Sequence, residues 1–335
     1  MKNVYTLLKL NRHIKNNRIK NLGVFLLHYF GQRYCGIFID PTLKCNLRCK
    51  MCYFSEEGFA KSNSGPNLTL EEINKIGNAF FHRALKLQIG CRTEPSLYPY
   101  NKEIILLAKK KKVPYISITT NANRFKEENW EELVASGLDE VTLSLHGVHK
   151  ESYEFFMTNG SYEMFLSSFQ VLTRLKKKYP KFQIRINYTV NQDNLQELTS
   201  FFDVFKNYHV DILQVRPILQ MGNTVYNNFS WDTIVQDYDP TIERLRKLAK
   251  QKNITFIAPT KHDLIKEINE ESTIIDSTYF YISSQGCWKD GFDLNKDTYE
   301  TYAKRTGLGR KLFKKTFCSS KKSEHDKRPL NYNIS

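Results

Sequence analysis

Three of the seven cysteines in this 335-residue chain lie within one eight-residue segment, CNLRCKMC at residues 45–52. Ordinary packing of a protein core does not require cysteines at this density. Thiolates spaced as CxxxCxxC suit an iron-sulfur cluster, whereas structural zinc sites usually have four protein ligands built from CxxC or Cys/His pairs. Three ligands leave one iron of a four-iron cluster open, which predicts a cluster at which chemistry takes place. A zinc loop and a redox dithiol are the alternatives.

The segment follows the strand-like sequence GIFIDP and precedes Tyr53 and Phe54, and it resembles the cluster loop of the radical S-adenosylmethionine (radical SAM) superfamily. The resemblance implies that Cys45, Cys49 and Cys52 hold a [4Fe-4S] cluster whose open iron binds S-adenosylmethionine. It also implies an enzyme that cleaves this cofactor to methionine and a 5′-deoxyadenosyl radical, which abstracts hydrogen from a substrate. A reductant such as flavodoxin or ferredoxin is then an expected partner.

From residue 35 onward, strand patterns alternate with amphipathic helix patterns, which predicts parallel strands joined by helical crossovers. We predict strands at 35–40, 85–90, 114–120, 139–145, 182–190, 210–216 and 254–258. We predict helices at 70–83, 102–112, 127–136, 162–179, 194–208 and 240–252. Six such units make an α/β fold, a partial TIM-like (β/α)6 barrel, which is also the fold that the resemblance implies.

The barrel is expected to span residues 35–258, between two segments of different character. Residues 1–34 are basic, with apolar residues at roughly helical spacing, which predicts one or two short amphipathic helices. Residues 259–335 lack the regular alternation and are expected to form an irregular extension with a basic tail. Its two cysteines, Cys287 and Cys318, are too few to hold an auxiliary four-iron cluster, so we expect it to cover the substrate or seal the core.

Chemistry in a parallel barrel gathers at the carboxyl ends of the strands, and the cysteine segment follows the first strand as this requires. The segment GCRTEP at residues 90–95 follows the second strand and resembles the Gly-Gly-Glu-Pro segment with which the family binds the amino group of S-adenosylmethionine. Glu94 is retained, whereas Arg92 and Thr93 replace the glycines. Glycines allow the backbone to approach a ligand closely. Since both are replaced, the sequence does not predict the conformation of this loop.

Polar residues also follow the later strands. The segment TTNA at residues 119–122 resembles a Thr-Asn-Gly segment of the family, and Arg185, Asn187 and Thr189 share one face of the fifth strand. Asn187 is the preferred contact to the cofactor ribose, by position and by resemblance. Arg216, after the sixth strand, suits the cofactor carboxylate or an anionic substrate. The predicted cofactor-binding residues are Met51, Glu94, Thr119, Asn121, Ser144, Asn187 and Arg216; no catalytic residue is predicted.

The formal charge of +15 is confined to the two ends of the chain. Residues 1–34 contain seven Lys or Arg and no Asp or Glu, and residues 301–335 contain ten against two. The neutral middle argues against a nucleic-acid partner, while the basic ends favour peripheral contact with an anionic membrane. Solvated, flexible ends are the simpler interpretation. No signal peptide is evident, and an oxygen-sensitive cluster favours a cytoplasmic location.

The sequence contains no Walker loop, no dinucleotide-binding glycine loop and no HExxH helix. It therefore predicts a radical SAM enzyme of unidentified substrate, with a small or lipid-linked anionic molecule preferred over a peptide. Two alternatives from other classes remain. One is an RNA-modifying enzyme that uses the basic ends, and the other is a non-catalytic iron-sulfur or zinc-binding protein.

Overall fold

The computed structural model describes residues 14, 16–62, 64–218, 224–226, 232, 234–260, 274–317 and 332–334. Cys318, and residues 1–13 and 15 of the predicted N-terminal amphipathic segment, lie outside these residues. No helix in the described ranges is long and apolar enough to cross a membrane.

One ten-stranded sheet forms the centre of the molecule, in the order β10-β7-β6-β5-β4-β3-β2-β1-β8-β9. The strands are β1 Cys35–Asp40, β2 Ala84–Ile89, β3 Ile116–Thr120, β4 Glu140–Leu145, β5 Gln183–Val190, β6 Ile212–Pro217, β7 Thr255–Pro259, β8 Tyr279–Ser283, β9 Gly286–Cys287 and β10 Tyr332–Ile334. Strands β1 to β7 lie in chain order, each parallel to the next, and the short edge strands β9 and β10 are antiparallel. The predicted α/β fold with a partial TIM-like barrel is confirmed.

One helix precedes β1, others lie between successive parallel strands as crossover connections require, and the last two follow β9. They are α1 Asn17–Tyr29, α2 Glu57–Ser62, α3 Leu70–Phe80, α4 Asn101–Lys110, α5 Glu127–Ala135, α6 Lys150–Phe156, α7 Tyr162–Lys178, α8 Phe201–Val204, α9 Val235–Gln251, α10 Ile275–Thr278, α11 Tyr299–Arg305 and α12 Leu308–Phe317. Helix α3 begins with a capping box in which the Thr69 hydroxyl accepts from the Glu72 N–H while Glu72 accepts from the Thr69 N–H.

Strand β5 shows how alternation in the sequence creates the two faces of the sheet. Its apolar residues are completely buried and alternate with partly buried polar ones. The apolar face belongs to the main hydrophobic core, against the surrounding helices. The polar face lines the interior of the barrel, so polar side chains of neighbouring strands share one space there.

The seven predicted strands match β1 to β7 to within two residues at each end. The helix predicted at 194–208 is wrong in length, because residues 196–200 form a 3-10 helix and α8 has only four residues. The physical reason is a turn: the Asn191 and Asn194 side chains each accept from the other residue's backbone N–H. Side-chain bonds of this kind compete with a helical start. Helix α9 begins five residues before the predicted Pro240, which lies inside it.

The segment after residue 259 is more regular than the predicted extension. Strand β8 pairs in parallel with β1, from Gly36 opposite Tyr279 to Asp40 opposite Ser283. Its alternation places Phe280 and Ile282 in the main core, as expected of a segment that seals the core. The division of the chain at residues 34 and 258 into three units stays a prediction.

Candidate active site

The backbone of the cysteine loop is held by hydrogen bonds that it donates to a neighbouring segment. The N–H groups of Arg48 and Lys50 donate to the carbonyls of Thr158 and Phe156, each at 2.9 Å. Both acceptors lie at the end of α6 or just beyond it. Cys49 lies between the two donors, so the centre of the loop is fixed to the rest of the barrel.

The three thiols of this loop are partly buried and form no disulfide. Burial, reinforced by the nearby Glu94 carboxylate, raises the pKa of Cys45 to about 12. Burial and then the other two thiols raise the pKa of Cys49. Thiols in such surroundings need a cationic partner to ionise, and the iron of a cluster supplies one.

The donor set therefore fits an iron-sulfur cluster. Among the described residues, no group of three or more His, Cys, Asp or Glu side chains is placed to hold a single metal ion.

Asp40 fixes the loop in which Arg92 and Thr93 replace the glycines of the family pattern. This fully buried carboxylate, at the end of β1, accepts from the Cys91 N–H at 2.7 Å, the Arg92 N–H at 3.1 Å and the Thr93 hydroxyl at 3.0 Å. The Tyr281 hydroxyl donates to it at 2.8 Å. One carboxylate thus satisfies two backbone donors and a side chain of the loop, so its conformation does not depend on glycine at those positions.

Gly90 begins this loop with φ +75°, in the left-handed region. A Cβ atom there would lie 2.5 Å from the Thr119 carbonyl oxygen and 2.9 Å from the Pro95 ring. Only glycine allows the two strand ends to approach this closely. The close approach brings the residue 90–95 loop against the end of β3.

Glu94 lies where these segments meet, with 2% of its surface exposed. Its carboxylate accepts from the Ser96 N–H at 3.0 Å, the Thr120 hydroxyl at 2.6 Å and the Asn121 N–H at 2.8 Å. Its own N–H donates to the Lys44 carbonyl, next to the first cysteine. Burial raises the pKa of Glu94 despite these bonds, so an additional cation, such as an ammonium group, would favour its ionised form.

Asn121 connects the end of β3 to the cysteine loop, because its side-chain amide donates to Asn46 Oδ1 at 3.0 Å. The next residue, Ala122, has φ +62° where the family pattern has glycine. A buried alanine therefore adopts the left-handed conformation that glycine adopts more readily. The turn is retained despite the substitution.

Ser144 and Asn187 are register partners on β4 and β5, and Gln214 on β6 continues the same row. Asn187 Oδ1 is buried and has no hydrogen-bond partner in the described part of the chain. A buried acceptor without a partner is rare in a native protein, and a bound ligand is one way to satisfy it. Arg216 lies beyond this row, opposite Thr189.

Met51 and Thr119 are placed differently from the other predicted cofactor residues. Met51 packs in a small apolar cluster with Phe156, Ile218 and Tyr226, and the Asn191 amide is 3.0 Å from its sulfur. Thr119 makes no side-chain hydrogen bond to any described residue; its neighbour Thr120 contacts Glu94 instead. The roles of all seven residues as cofactor ligands stay predictions.

Sequence reasoning missed Asp40, Tyr281 and Lys86. A signal for Asp40 was present, since it ends a strand directly before the cysteine segment. Lys86 interrupts the apolar pattern of β2, and it lies over the rings of Phe38 and Tyr115, about 6 Å from each centroid. Tyr281 had no local signal, because its strand is short and far from Asp40 in sequence.

The barrel interior contains two cations that the protein itself does not pair. Within the described ranges, neither Lys86 nor Arg216 makes an ion pair or a side-chain hydrogen bond. Burial lowers the pKa of Lys86 to about 8, with a further decrease from Arg185 and an opposing effect from Glu140. Lys86 is therefore still mostly protonated near neutral pH.

The fold and this site define an α/β-barrel enzyme with a thiolate cluster loop at the carboxyl end of its first strand. The Radical SAM superfamily profile matches residues 39–203, which include the cysteine loop, Glu94, Asn121 and Asn187. The chain is a member of the radical SAM superfamily. It is accordingly an enzyme that uses a [4Fe-4S] cluster and S-adenosylmethionine, and the non-catalytic alternatives are wrong.

The curated relatives include proteins named probable GTP 3′,8-cyclase. The Archaeoglobus fulgidus protein is 28% identical over 234 residues, which are 69% of this chain and 76% of that protein. The Thermococcus kodakarensis protein is 33% identical over 128 residues, which are 37% of this chain and 39% of that protein.

Solved structures support the fold. Streptococcus suis SuiB bound to S-adenosylmethionine has a TM-score of 0.61 at 17% identity, covering 81% of this chain and 65% of that one. The structure titled native anSMEcpe with bound AdoMet and Cp18Cys peptide has a TM-score of 0.52 at 18% identity, covering 66% of this chain and 62% of that one. This chain therefore spans slightly less than two thirds of either solved chain.

Proposed function

We propose that this enzyme uses a 5′-deoxyadenosyl radical to abstract hydrogen from a small, water-soluble anion of the nucleoside-phosphate class. The observation that carries the proposal is the pair of unpaired cations, Lys86 and Arg216, on the interior face of the barrel. Both side chains are partly buried, and a partly desolvated cation that lacks an anionic partner is destabilising, so an anionic ligand would remove that cost.

The interior carboxylates do not compete for these cations, because each has partners within the protein. Asp40 holds the residue 90–95 loop, and Glu94 accepts three hydrogen bonds. Glu140 accepts from the Tyr115 hydroxyl at 2.6 Å and lies 3.7 Å from the Arg185 guanidinium. The unsatisfied charge of the interior is therefore positive, which favours phosphate or carboxylate groups.

The names of the curated relatives point to the same class of substrate, since GTP is a nucleoside triphosphate. Their identity to this chain is low, so GTP is the first candidate to test within that class. The sequence alone also favours an anionic substrate, either small or lipid-linked, over a peptide. The neutral net charge of the sequence between the two basic ends and the cationic groups of the interior together favour a small anion over RNA.

Residues of this chain have three tasks in the proposed reaction. Cys45, Cys49 and Cys52 hold the cluster, which when reduced supplies the electron that cleaves S-adenosylmethionine. Glu94 orients the amino group of that cofactor. Asn187 supplies an unsatisfied acceptor for a ribose hydroxyl, in the row that also contains Ser144.

A cleavage assay with the anaerobically reconstituted enzyme, S-adenosylmethionine and a strong reductant tests the proposal. We expect GTP or another nucleoside phosphate to increase 5′-deoxyadenosine formation above the substrate-free rate. Deuterium from a labelled nucleotide should appear in the 5′-deoxyadenosine, because the radical takes hydrogen from the substrate. Lys86→Met should abolish the stimulation while leaving slow substrate-free cleavage in place.

Lys110→Met, on the exposed end of α4, is the matched control and should behave as the parent. Cys49→Ala should lose both activities. Stimulation by a peptide or by RNA, together with no response to any nucleotide and no deuterium transfer, would contradict the proposed substrate class without affecting the family assignment.

A further inference from the structure

One helix from each basic end of the chain, far apart in sequence, meets the other on one face of the molecule. Helix α1 from the N-terminal segment packs against α12 from the C-terminal segment, and the rings of Phe25 and Phe313 are 5.1 Å apart. Neither helix contains an Asp or Glu, whereas together they contain six Lys or Arg. We call the exposed side of this helix pair the α1–α12 face.

Aromatic rings form a continuous strip across the α1–α12 face. Tyr29 lies 6.0 Å from Phe25 and 5.2 Å from Phe30, and Phe313 lies 4.9 Å from Phe317. Tyr29, Phe30 and Phe317 are each more than 60% exposed. Leu22 and Leu26 of α1 are also exposed. An exposed apolar patch flanked by Lys and Arg side chains usually marks an interaction site.

This face lies at the end of the barrel opposite the cysteine loop. A cleft of about 670 Å³ opens between α1 and α12 and is lined by Arg83 and Tyr299 among others. Arg83 directly precedes β2, and the Tyr299 hydroxyl bonds that of Tyr34, which directly precedes β1. The cysteine loop follows the other end of β1, about 20 Å away at 3.3 Å per residue.

We infer that the α1–α12 face docks on an anionic lipid bilayer. Aromatic and leucine side chains flanked by Lys and Arg are what a membrane interface recognises, and neither helix is suited to span it. The positive charge is spread over both helices, with two Lys or Arg on α1 and four on α12, which favours a fluid sheet of headgroups over an acidic protein with fixed charge positions. This inference does not depend on the proposed substrate.

The orientation has a consequence for the reaction. With the α1–α12 face on the bilayer, the carboxyl ends of the strands point toward the water. The substrate would therefore enter from solution, which favours the soluble anion proposed above over a lipid-linked one.

Cosedimentation of the full-length enzyme with vesicles tests the inference. We expect binding to vesicles that contain phosphatidylglycerol, release by high salt, and no binding to phosphatidylcholine alone. The double variant Tyr29→Ser/Phe313→Ser should lower the partition coefficient about tenfold or more. The control Leu106→Ser/Met164→Ser removes two similarly exposed apolar side chains from α4 and α7 and should bind as the parent does.

A fluorescent reporter separates insertion from simple charge attraction. Phe317→Trp should shift its emission to the blue on anionic vesicles, whereas Leu106→Trp should not. Far-UV circular dichroism and iron content check that each variant is folded. The inference is overturned if the enzyme ignores anionic vesicles at low salt, or if the control variant loses as much binding as the aromatic one. It is equally overturned if polyglutamate displaces the vesicles and the Phe317→Trp emission does not shift, which would indicate an acidic protein partner.

Discussion

Glu94 is the residue on which the cofactor half of the site depends most. Its carboxylate holds the ends of β2 and β3 together through Ser96, Thr120 and Asn121, and it lies beside the cysteine loop. A carboxylate has about four acceptor positions, and three are occupied by the protein. One acceptor position therefore remains, and we predict that the ammonium group of S-adenosylmethionine occupies it.

Glu94→Gln should weaken binding of S-adenosylmethionine by about 2–5 kcal/mol, because it removes the buried charge that pairs with the ammonium group. The NH2 group of the glutamine would also face the N–H and hydroxyl donors of Ser96, Thr120 and Asn121, which now donate to the carboxylate. Equilibrium dialysis of the anaerobic, cluster-loaded enzyme measures the loss. Glu131→Gln, an exposed position on α5, is the control. Equal affinity of Glu94→Gln and the parent would show that Glu94 does not contact the cofactor.

The turns after β2 and β3 set the geometry of the site at the scale of elements. Gly90 lets the end of β2 approach β3, and Asp40 at the end of β1 holds the loop that follows. Three neighbouring strand ends are thus joined by contacts between their first loop residues. The rigidity of the site comes from these connections. None of the three positions where the family pattern has glycine is glycine here, and the one glycine that the geometry requires, Gly90, lies outside that pattern.

Gly90→Ala should lower the free energy of unfolding by about 2 kcal/mol or more, since it combines a positive φ with a backbone contact at 2.5 Å. Gly286→Ala is the matched control, because an added Cβ there meets nothing within 4 Å. Denaturant unfolding of both variants measures the difference. If the two variants are equally stable, the close approach of β2 and β3 is not the constraint that the structure indicates.

At the scale of the whole molecule, contacts join the segment after residue 259 to the first two strands. Strand β8 covers the edge of β1, and Glu300 at the start of α11 accepts from His82 at 2.6 Å and from Arg83 at 2.9 Å, just before β2. Burial alone would raise the pKa of Glu300, but the hydrogen bonds from His82 and Arg83 outweigh it and lower the pKa to about 2.

A carboxyl group whose pKa is lowered by folding stabilises the folded state at pH values above the pKa that the same group has in the unfolded chain, about 4.3 for Glu. The contribution is lost as the pH falls from there toward 2. Glu300→Gln should therefore unfold with a shallower dependence on pH in this acid range. At neutral pH the variant should lose about 1 kcal/mol or less, because half of the carboxyl side chain is exposed and screened by water. Urea unfolding between pH 7 and 3 tests this, and a parallel loss for parent and variant throughout would contradict it.

The sequence determined the chemistry and the order of elements, because both are local. The spacing of Cys45, Cys49 and Cys52 is set by covalent connection, and alternation such as that of β5 is visible in eight consecutive residues. The cysteine spacing indicated an iron-sulfur cluster and the alternation indicated parallel strands, whereas S-adenosylmethionine and the roles of Glu94 and Asn121 came from the resemblance to the radical SAM family.

Tertiary structure alone decided which residues complete the site and where the basic ends lie. Asp40 and Tyr281 are 241 residues apart, and no local pattern predicts that their hydrogen bond fixes the loop with Arg92 and Thr93. The pairing of β8 with β1 and the packing of α1 on α12 likewise join distant segments. Such contacts depend on how complete elements pack in three dimensions, and for that reason sequence spacing could not reveal them.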